Sequence, residues 1–166
     1  VPADEAGEWS SPAFIAEKKG DILGRLVADY EGPNRETEDH AGVPADAEAV
    51  LRKAAGKLIH TTMDMVWGFS QIGVGPNAKK IWTIVTISGL KRWKYMPMGP
   101  KQGPGICQSF VDQAFGDIES LSVFMDDFHL GSDSFDEHVK EMMAVMERVE
   151  HHGVQWRLSK CSFAQP

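Results

Sequence analysis

Residues 121–130 read LSVFMDDFHL: two short apolar runs, Leu121–Met125 and Phe128–Leu130, with Asp126 and Asp127 between them. Apolar strands avoid charge, so the acidic pair marks a tight turn joining two strands of a β-hairpin. A turn also lets neighbouring side chains converge, whereas in an extended strand they point to opposite faces. Side-by-side carboxylates repel unless a cation sits between them. Asp64 has a comparable setting, within Met63-Asp64-Met65 at the end of an apolar run. Three carboxylates at the ends of neighbouring strands would make an oxygen-donor site for two Mg²⁺ ions. Taken alone, an Asp pair is more often a plain solvated turn.

Outward from the hairpin, Ser134-Phe135-Asp136-Glu137 matches a capping box. It opens a helix whose face of Val139, Met142, Met143, Met146 and Val149 is expected in the core, and Gly153 can end it. Val154–Leu158 reads as a closing strand. Upstream, a Gly/Pro cluster over Gly99–Gly105 precedes Ile106, Phe110, Ala114 and Ile118, one apolar position every four residues, which is a helix stripe. Trp82–Ile87 and Trp93–Met96 are β-rich. Ile59–Met65 is a strand leading to Asp64, and Pro44 opens a helix with Leu51, Ala54, Ala55 and Leu58 on one stripe. Residues 31–46 are polar and turn-rich and read as a long loop. Strands and helices mix without regular βαβ alternation, so the expected class is α+β, an antiparallel sheet backed by helices.

The chain has 166 residues, 42% of them hydrophobic and 25% charged, the composition of a globular domain with a real core. No apolar run reaches the roughly 18–20 residues of a membrane-spanning helix. Val1–Trp9 carries Asp4, Glu5 and Glu8 and no base, the wrong charge for a secretory or transit peptide, so an intracellular location is expected. A chain that begins at Val1 rather than Met reads as a processed product or a fragment. Two cysteines, Cys107 and Cys161, exclude a disulfide framework or a zinc finger. The net charge is −7, yet between Met65 and Val111 there is no acid and there are six bases: Lys79, Lys80, Lys91, Arg92, Lys94 and Lys101. Trp67, Phe69, Trp82, Trp93 and Tyr95 are interleaved with them. A face that binds phosphates and stacks bases needs that composition; the bland alternative is a solvated strand edge guarded by Lys.

Several motifs, in order, carry a family resemblance over residues 11–163. Phe124-Met125-Asp126-Asp127 resembles the aromatic-x-Asp-Asp hairpin of reverse transcriptases, and MDMVWGFSQI around Asp64 resembles the family's LDLRSGYHQI. Met96-Pro97-Met98-Gly99, then Gly103-Pro104 and Cys107-Gln108-Ser109, resembles MPFGLTNAPATFQS. Ser11-Pro12, Lys18-Lys19, Arg25 and Asp29-Tyr30 resemble the segment SPxxxxxKKxxG…R…DYR, Glu137-His138 resembles EEHL, and Leu158–Phe163 resembles LxxxKCxF. Each match is weak alone; together they resemble the fingers–palm part of a gypsy-type LTR retrotransposon reverse transcriptase.

The resemblance implies a palm with partial fingers, divided into an acidic flexible head (1–10), partial fingers and connecting helix (11–63), palm (64–163) and tail (164–166). It implies RNA-directed DNA synthesis by two-metal nucleotidyl transfer onto a primer 3′-hydroxyl, with Mg²⁺ or Mn²⁺ held by Asp64, Asp126 and Asp127. Lys160 matches a late-palm lysine able to protonate departing pyrophosphate, and is equally read as a surface strand lysine. Lys18 and Arg25 match triphosphate-binding positions. Phe69 matches the ring under the incoming sugar that disfavours a 2′-hydroxyl, and Met98 and Gln108 match residues lining the template and nucleotide pocket. His138 reads as a packing or capping histidine, and His151 and His152 as complements to a helix dipole. The partners implied are an RNA/DNA primer–template, deoxynucleotide triphosphates, and other subunits or the thumb, connection and RNase H regions, since the motifs end with the palm. Glu31 stands where the family has Arg, a reversal expected to weaken nucleic-acid binding. A second reading is therefore a decayed or recruited palm serving as a non-catalytic subunit of a larger assembly. A third is a metal-dependent nuclease, which explains neither Lys18 and Arg25 nor Phe69.

Overall fold

The computed structural model describes residues 7–18, 21–38 and 47–166, with side chains described for all of these except 18, 21–23, 47 and 49. In chain order the elements begin with β1 (Ser11–Lys18), β2 (Asp21–Ala28), α1 (Glu31–Glu36), α2 (Ala47–Ala54), β3 (Ile59–Asp64), α3 (Pro76–Ile81), β4 (Ile84–Thr86) and β5 (Gly89–Lys91). They continue with α4 (Gly103–Phe115), β6 (Leu121–Phe124), β7 (Asp127–Ser132), α5 (Phe135–His152) and β8 (Ser162–Gln165). The α+β class expected from the sequence is the class observed. Contacts gather the chain into two units, each drawn from two stretches: Val1–His40 with Ile72–Gly103, and Ala41–Gln71 with Pro104–Pro166. Among the described residues no helix is long and apolar enough to cross a membrane.

The first unit holds a sheet in the order β2-β1-β4-β5, with β1 and β4 parallel and the other pairs antiparallel. Tyr30 is buried beside it; its hydroxyl accepts from Trp93 Nε1 at 2.6 Å, and burial pushes its pKa up to about 12. Part of the expected loop over 31–46 is the helix α1, because Asp29 Oδ1 accepts from the Glu31 amide at 2.9 Å and Glu31 pairs with Arg35 one turn on. Residues 39–46, including Pro44, lie outside the described residues. The strand expected over Trp93–Met96 is reduced to a single bridge between Tyr95 and Gly73, and the pairing strand is β5 instead. Its antiparallel return to β4 needs Gly89 at φ +90, a conformation that favours glycine.

The second unit is an all-antiparallel sheet, β6-β7-β3-β8. β3 and β7 pair from Ile59 with Ser132 through Asp64 with Asp127. Alternation sends Thr61, Met63, Phe128 and Leu130 to one face, where they are buried with Val111, Ala114 and Phe115 of α4 and Val145 of α5. The opposite face carries His60, Thr62, Asp64, Asp127 and His129. Ser134 caps α5 by accepting from the Glu137 amide, and Gly153 ends it at φ 67 in the left-handed region.

Several sequence expectations are corrected here. On α5, Val139 (42%), Met143 (60%) and Met146 (48%) are exposed; His138 and Val145 are buried, and Met142 and Val149 of the expected face pack half-buried against the core. α2 ends at Ala54, so Ala55 and Leu58 of the expected stripe lie beyond it, and Leu51 on it is exposed. On α4 the innermost residues are Cys107, Val111, Phe115 and, from the expected stripe, Ala114, while Phe110 and Ile118 are half-buried. Val154–Leu158 is not a strand: Trp156 makes one bridge to Met65, a 3-10 turn spans Leu158–Lys160, and the closing strand is β8.

This burial pattern predicts unequal costs along one helix. Val145→Ala should cost about 1–3 kcal/mol, whereas Met143→Ala should stay within about 0.5 kcal/mol, both read by urea denaturation.

Candidate active site

The hairpin closes over Met125 and Asp126, between Phe124 and its partner Asp127. Met125 has φ 57, the left-handed first corner that a two-residue turn of this kind demands and that glycine usually fills. Such strain persists only where surroundings hold it. Here the Met65 amide donates to Asp126 O at 2.9 Å and Cys107 Sγ contacts Met125 O at 3.9 Å. Burial, then the Asp126 charge, pushes the Cys107 thiol up to about 11, so it keeps its proton at neutral pH.

The turn separates the two aspartates' roles. Asp126 lies in the turn itself, while Asp127 is the first residue of β7, directly opposite Asp64 at the end of β3. Asp64 is further held by its own carbonyl, which accepts from the Arg157 amide at 2.8 Å. Asp127's carboxyl is raised above its ordinary range, first by burial and then by the charges of Asp126 and Asp64, with Lys160 opposing. Lys160 Nζ donates to Asp64 Oδ2 at 2.9 Å. Among the described residues no group of three His, Cys, Asp or Glu side chains converges closely enough to hold a metal ion. The backbone thus brings the three aspartates together, while their carboxylates stay apart and one is taken by an ammonium. An oxygen-only donor set with mutual repulsion still suits a hard divalent cation, and an ion pair with a half-exposed lysine is worth about 0–1 kcal/mol, a small barrier to exchange.

Phe69 is half-buried in a 3-10 turn over Gly68–Gln71, five residues past Asp64. Gln108 on α4 is 7% exposed; its Nε2 donates to Asp112 Oδ1 at 2.8 Å, and its buried Oε1 has no partner. These residues, the three aspartates and Lys160 belong to the second unit. Arg25 on β2 and Met98 are exposed in the first unit, where Lys18 ends β1 with its side chain outside the described residues. The six bases of the acid-free stretch also lie in the first unit. The aromatic interleaving is corrected in part: Trp82 is buried and Trp93 is spent on Tyr30, leaving Trp67 and Tyr95 exposed. Gly68 and Met125 escaped sequence reasoning. A glycine just after a strand was the available signal for the first; the second has none, because methionine does not announce a left-handed corner.

Comparison with known proteins gives a family, two relatives and a solved structure. The family model described as "Reverse transcriptase (RNA-dependent DNA polymerase)" matches residues 24–166. An enzymatic polyprotein of Cestrum yellow leaf curling virus is 29% identical over 152 residues, 87% of this chain and 24% of that protein. An uncharacterized protein of Caenorhabditis elegans is 26% identical over 160 residues, 95% of this chain and 12% of that protein. The chain therefore spans a quarter or less of the length of these relatives. Among solved structures, the foamy viral protease-reverse transcriptase in complex with ds DNA superposes with a TM-score of 0.87 at 19% identity, over 96% of this chain and 28% of that one, which is a likeness of fold.

A Cβ added at Gly68 would stand 3.0 Å from the Asp126 Cβ. Gly68→Ala is therefore predicted to shift the hairpin tip by a few tenths of an ångström. Amide resonances of residues 125–127 should move, while the unfolding midpoint falls by no more than about 4 °C.

Proposed function

We propose a function from a settled premise: this chain belongs to the reverse transcriptase (RNA-dependent DNA polymerase) family. The reading is that it carries the catalytic carboxylates of an RNA-directed DNA polymerase, of the gypsy-type LTR retrotransposon branch that its motifs resemble. The observation that carries it is the cross-strand pairing of Asp64 with Asp127, next to Asp126 in the adjoining turn.

Asp64, Asp126 and Asp127 would hold two divalent cations, Mg²⁺ or Mn²⁺. When bound, these supply Lewis-acid activation of a primer 3′-hydroxyl and neutralise charge on the departing pyrophosphate. Lys160 rests its ammonium on Asp64 and would be the proton donor to departing pyrophosphate. Arg25 and Lys18 bind the triphosphate of the incoming deoxynucleotide, Arg as a bidentate fork and Lys as a point charge. Phe69 lies under the sugar and disfavours a 2′-hydroxyl. Gln108, whose buried Oε1 has no partner, and exposed Met98 each match a family position that lines the template and nucleotide pocket. The partners are an RNA/DNA primer–template and deoxynucleotide triphosphates, together with the thumb, connection and RNase H regions or other subunits. Those nucleotides place the reaction inside the cell.

One observation favours a second reading, a recruited palm acting as a structural subunit: the carboxylates do not converge, and Lys160 neutralises Asp64. Primer–template binding separates the two, because a polymerase binds with steep inverse salt dependence and a scaffold need not bind.

The test is primer extension with Mg²⁺ and deoxynucleotide triphosphates, alongside Mn²⁺ binding by the chain itself. Asp126→Asn should lower extension by about 10²–10³ or more and weaken Mn²⁺ binding. Undiminished extension by that variant would remove the assignment.

A further inference from the structure

Thr61, Ser132 and His138 are polar yet 1%, 1% and 3% exposed, inside the core between the β3–β7 ladder and α5. Buried polar groups persist where they are paired, and these are paired in series. The Ala164 amide donates to Thr61 Oγ1 at 3.0 Å, Thr61 Oγ1 lies 2.7 Å from His138 Nε2, and His138 Nδ1 lies 2.8 Å from Ser132 Oγ. Ser132 Oγ in turn donates to the Glu141 carboxylate. A carboxylate only accepts, so the serine proton is spent there and Ser132 Oγ must accept from Nδ1–H. Nδ1 therefore carries a proton. In the neutral ring, which burial favours, Nε2 accepts the Thr61 hydroxyl proton and every donor in the series points the same way. His138 is buried, as the packing reading expects, and both its ring nitrogens are also hydrogen-bonded.

The series joins β8, β3, α5 and β7, reaching Thr61, which pairs with Leu130, and Ser132, which pairs with Ile59, and this fixed offset decides register. Apolar alternation excludes a one-residue slip of β3 against β7, because it would turn the core residues to solvent. It does not exclude a two-residue slip, which keeps Thr61 and Met63 on the face of Phe128 and Leu130. Such a slip would set Asp64 opposite Met125 or His129 instead of Asp127. A hydroxyl and an imidazole that must meet at one position exclude it. The strain at Ala164 belongs to the same device: with φ 47 it is a non-glycine residue in the left-handed region, where the β3–β8 register shifts and its amide turns toward Thr61.

We propose that the series from Ala164 through Thr61, His138 and Ser132 to Glu141 is a register pin, with His138 the positioning residue that keeps Asp64 opposite Asp127. Its consequence for metal binding rests on the polymerase reading above; its consequence for strand pairing does not. Burial lowers the His138 pKa from its ordinary value, Glu141 on the same helix opposes that shift, and His60 on β3 adds to it. A histidine that resists protonation in the fold means that the unfolded chain takes up its proton first as pH falls. The pin's contribution is therefore whole above about pH 6.5 and declines below it.

The experiment compares the full chain with Thr61→Val, Thr61→Ser and His138→Gln. It reads cross-strand NMR contacts between Thr62 and His129 and between Asp64 and Asp127, together with the Mn²⁺ dissociation constant. Thr61→Ser keeps the hydroxyl and should retain one native set of contacts. Thr61→Val and His138→Gln should show a second, two-residue-shifted set or exchange-broadened β3–β7 amides, with Mn²⁺ affinity at least tenfold weaker. A folded Thr61→Val with one native set and Mn²⁺ affinity within twofold of the parent overturns the pin. Should both disruptive variants fail to fold, hydrogen exchange of the parent chain decides. Exchange of β3–β7 amides that accelerates between pH 6.5 and 5 ahead of the α4 amides, after correction for intrinsic rates, supports the pin; uniform acceleration overturns it. If the parent chain binds no Mn²⁺, the polymerase reading fails while the strand contacts still test the pin.

Discussion

The pairing of β3 with β7 is the constraint on which the second unit rests, because one antiparallel ladder does two jobs at once. Its inner face supplies Met63, Phe128 and Leu130 to the core, and its outer face ends in Asp64 opposite Asp127. Side chains alternate strictly along a strand, so packing the inner face commits the outer one. The carboxylates are therefore positioned by hydrophobic burial on the other side of the sheet. Their mutual repulsion is opposed by the apolar burial on that inner face.

Strain and charge both concentrate at the end of this ladder. Met125 occupies a left-handed corner, Gly68 gives the turn room, and Asp127 holds its proton more tightly than an ordinary aspartate. A fold selected for stability alone would place glycine at the corner and remove two of three facing acids. Those acids leave negative charge concentrated at the end of the ladder. Lys160 supplies part of the counter-charge from the turn before β8.

Much of this was legible in the chain's order of residues because it depends on short-range chemistry. The hairpin follows from two apolar runs around an acidic pair. The start of α5 follows from Ser134 and Glu137, and its end from Gly153. What failed was the choice of helix face. On α5, Met143 and Met146 are as apolar as Met142 and Val145 and fall on helical spacing just as well, so periodicity offers two stripes and no means to choose. The sheet chose, by seating His138 and Val145 against β3 and β7. Leu51 and Leu58 misled in the same way, and Trp82 and Trp93, which composition assigns to stacking on bases, are consumed by packing and by Tyr30.

Local order along the chain determined the kinds of element, the hairpin and the identity of the three aspartates. Those features depend on neighbours within a few residues and on the period of a helix or strand. Tertiary structure alone decided which residue faces Asp64, which stripe of α5 is buried, that Lys160 occupies a carboxylate, and that both ring nitrogens of His138 meet hydroxyls. Each of these joins residues far apart in the chain, and their partners exist only once the core has closed around the sheet.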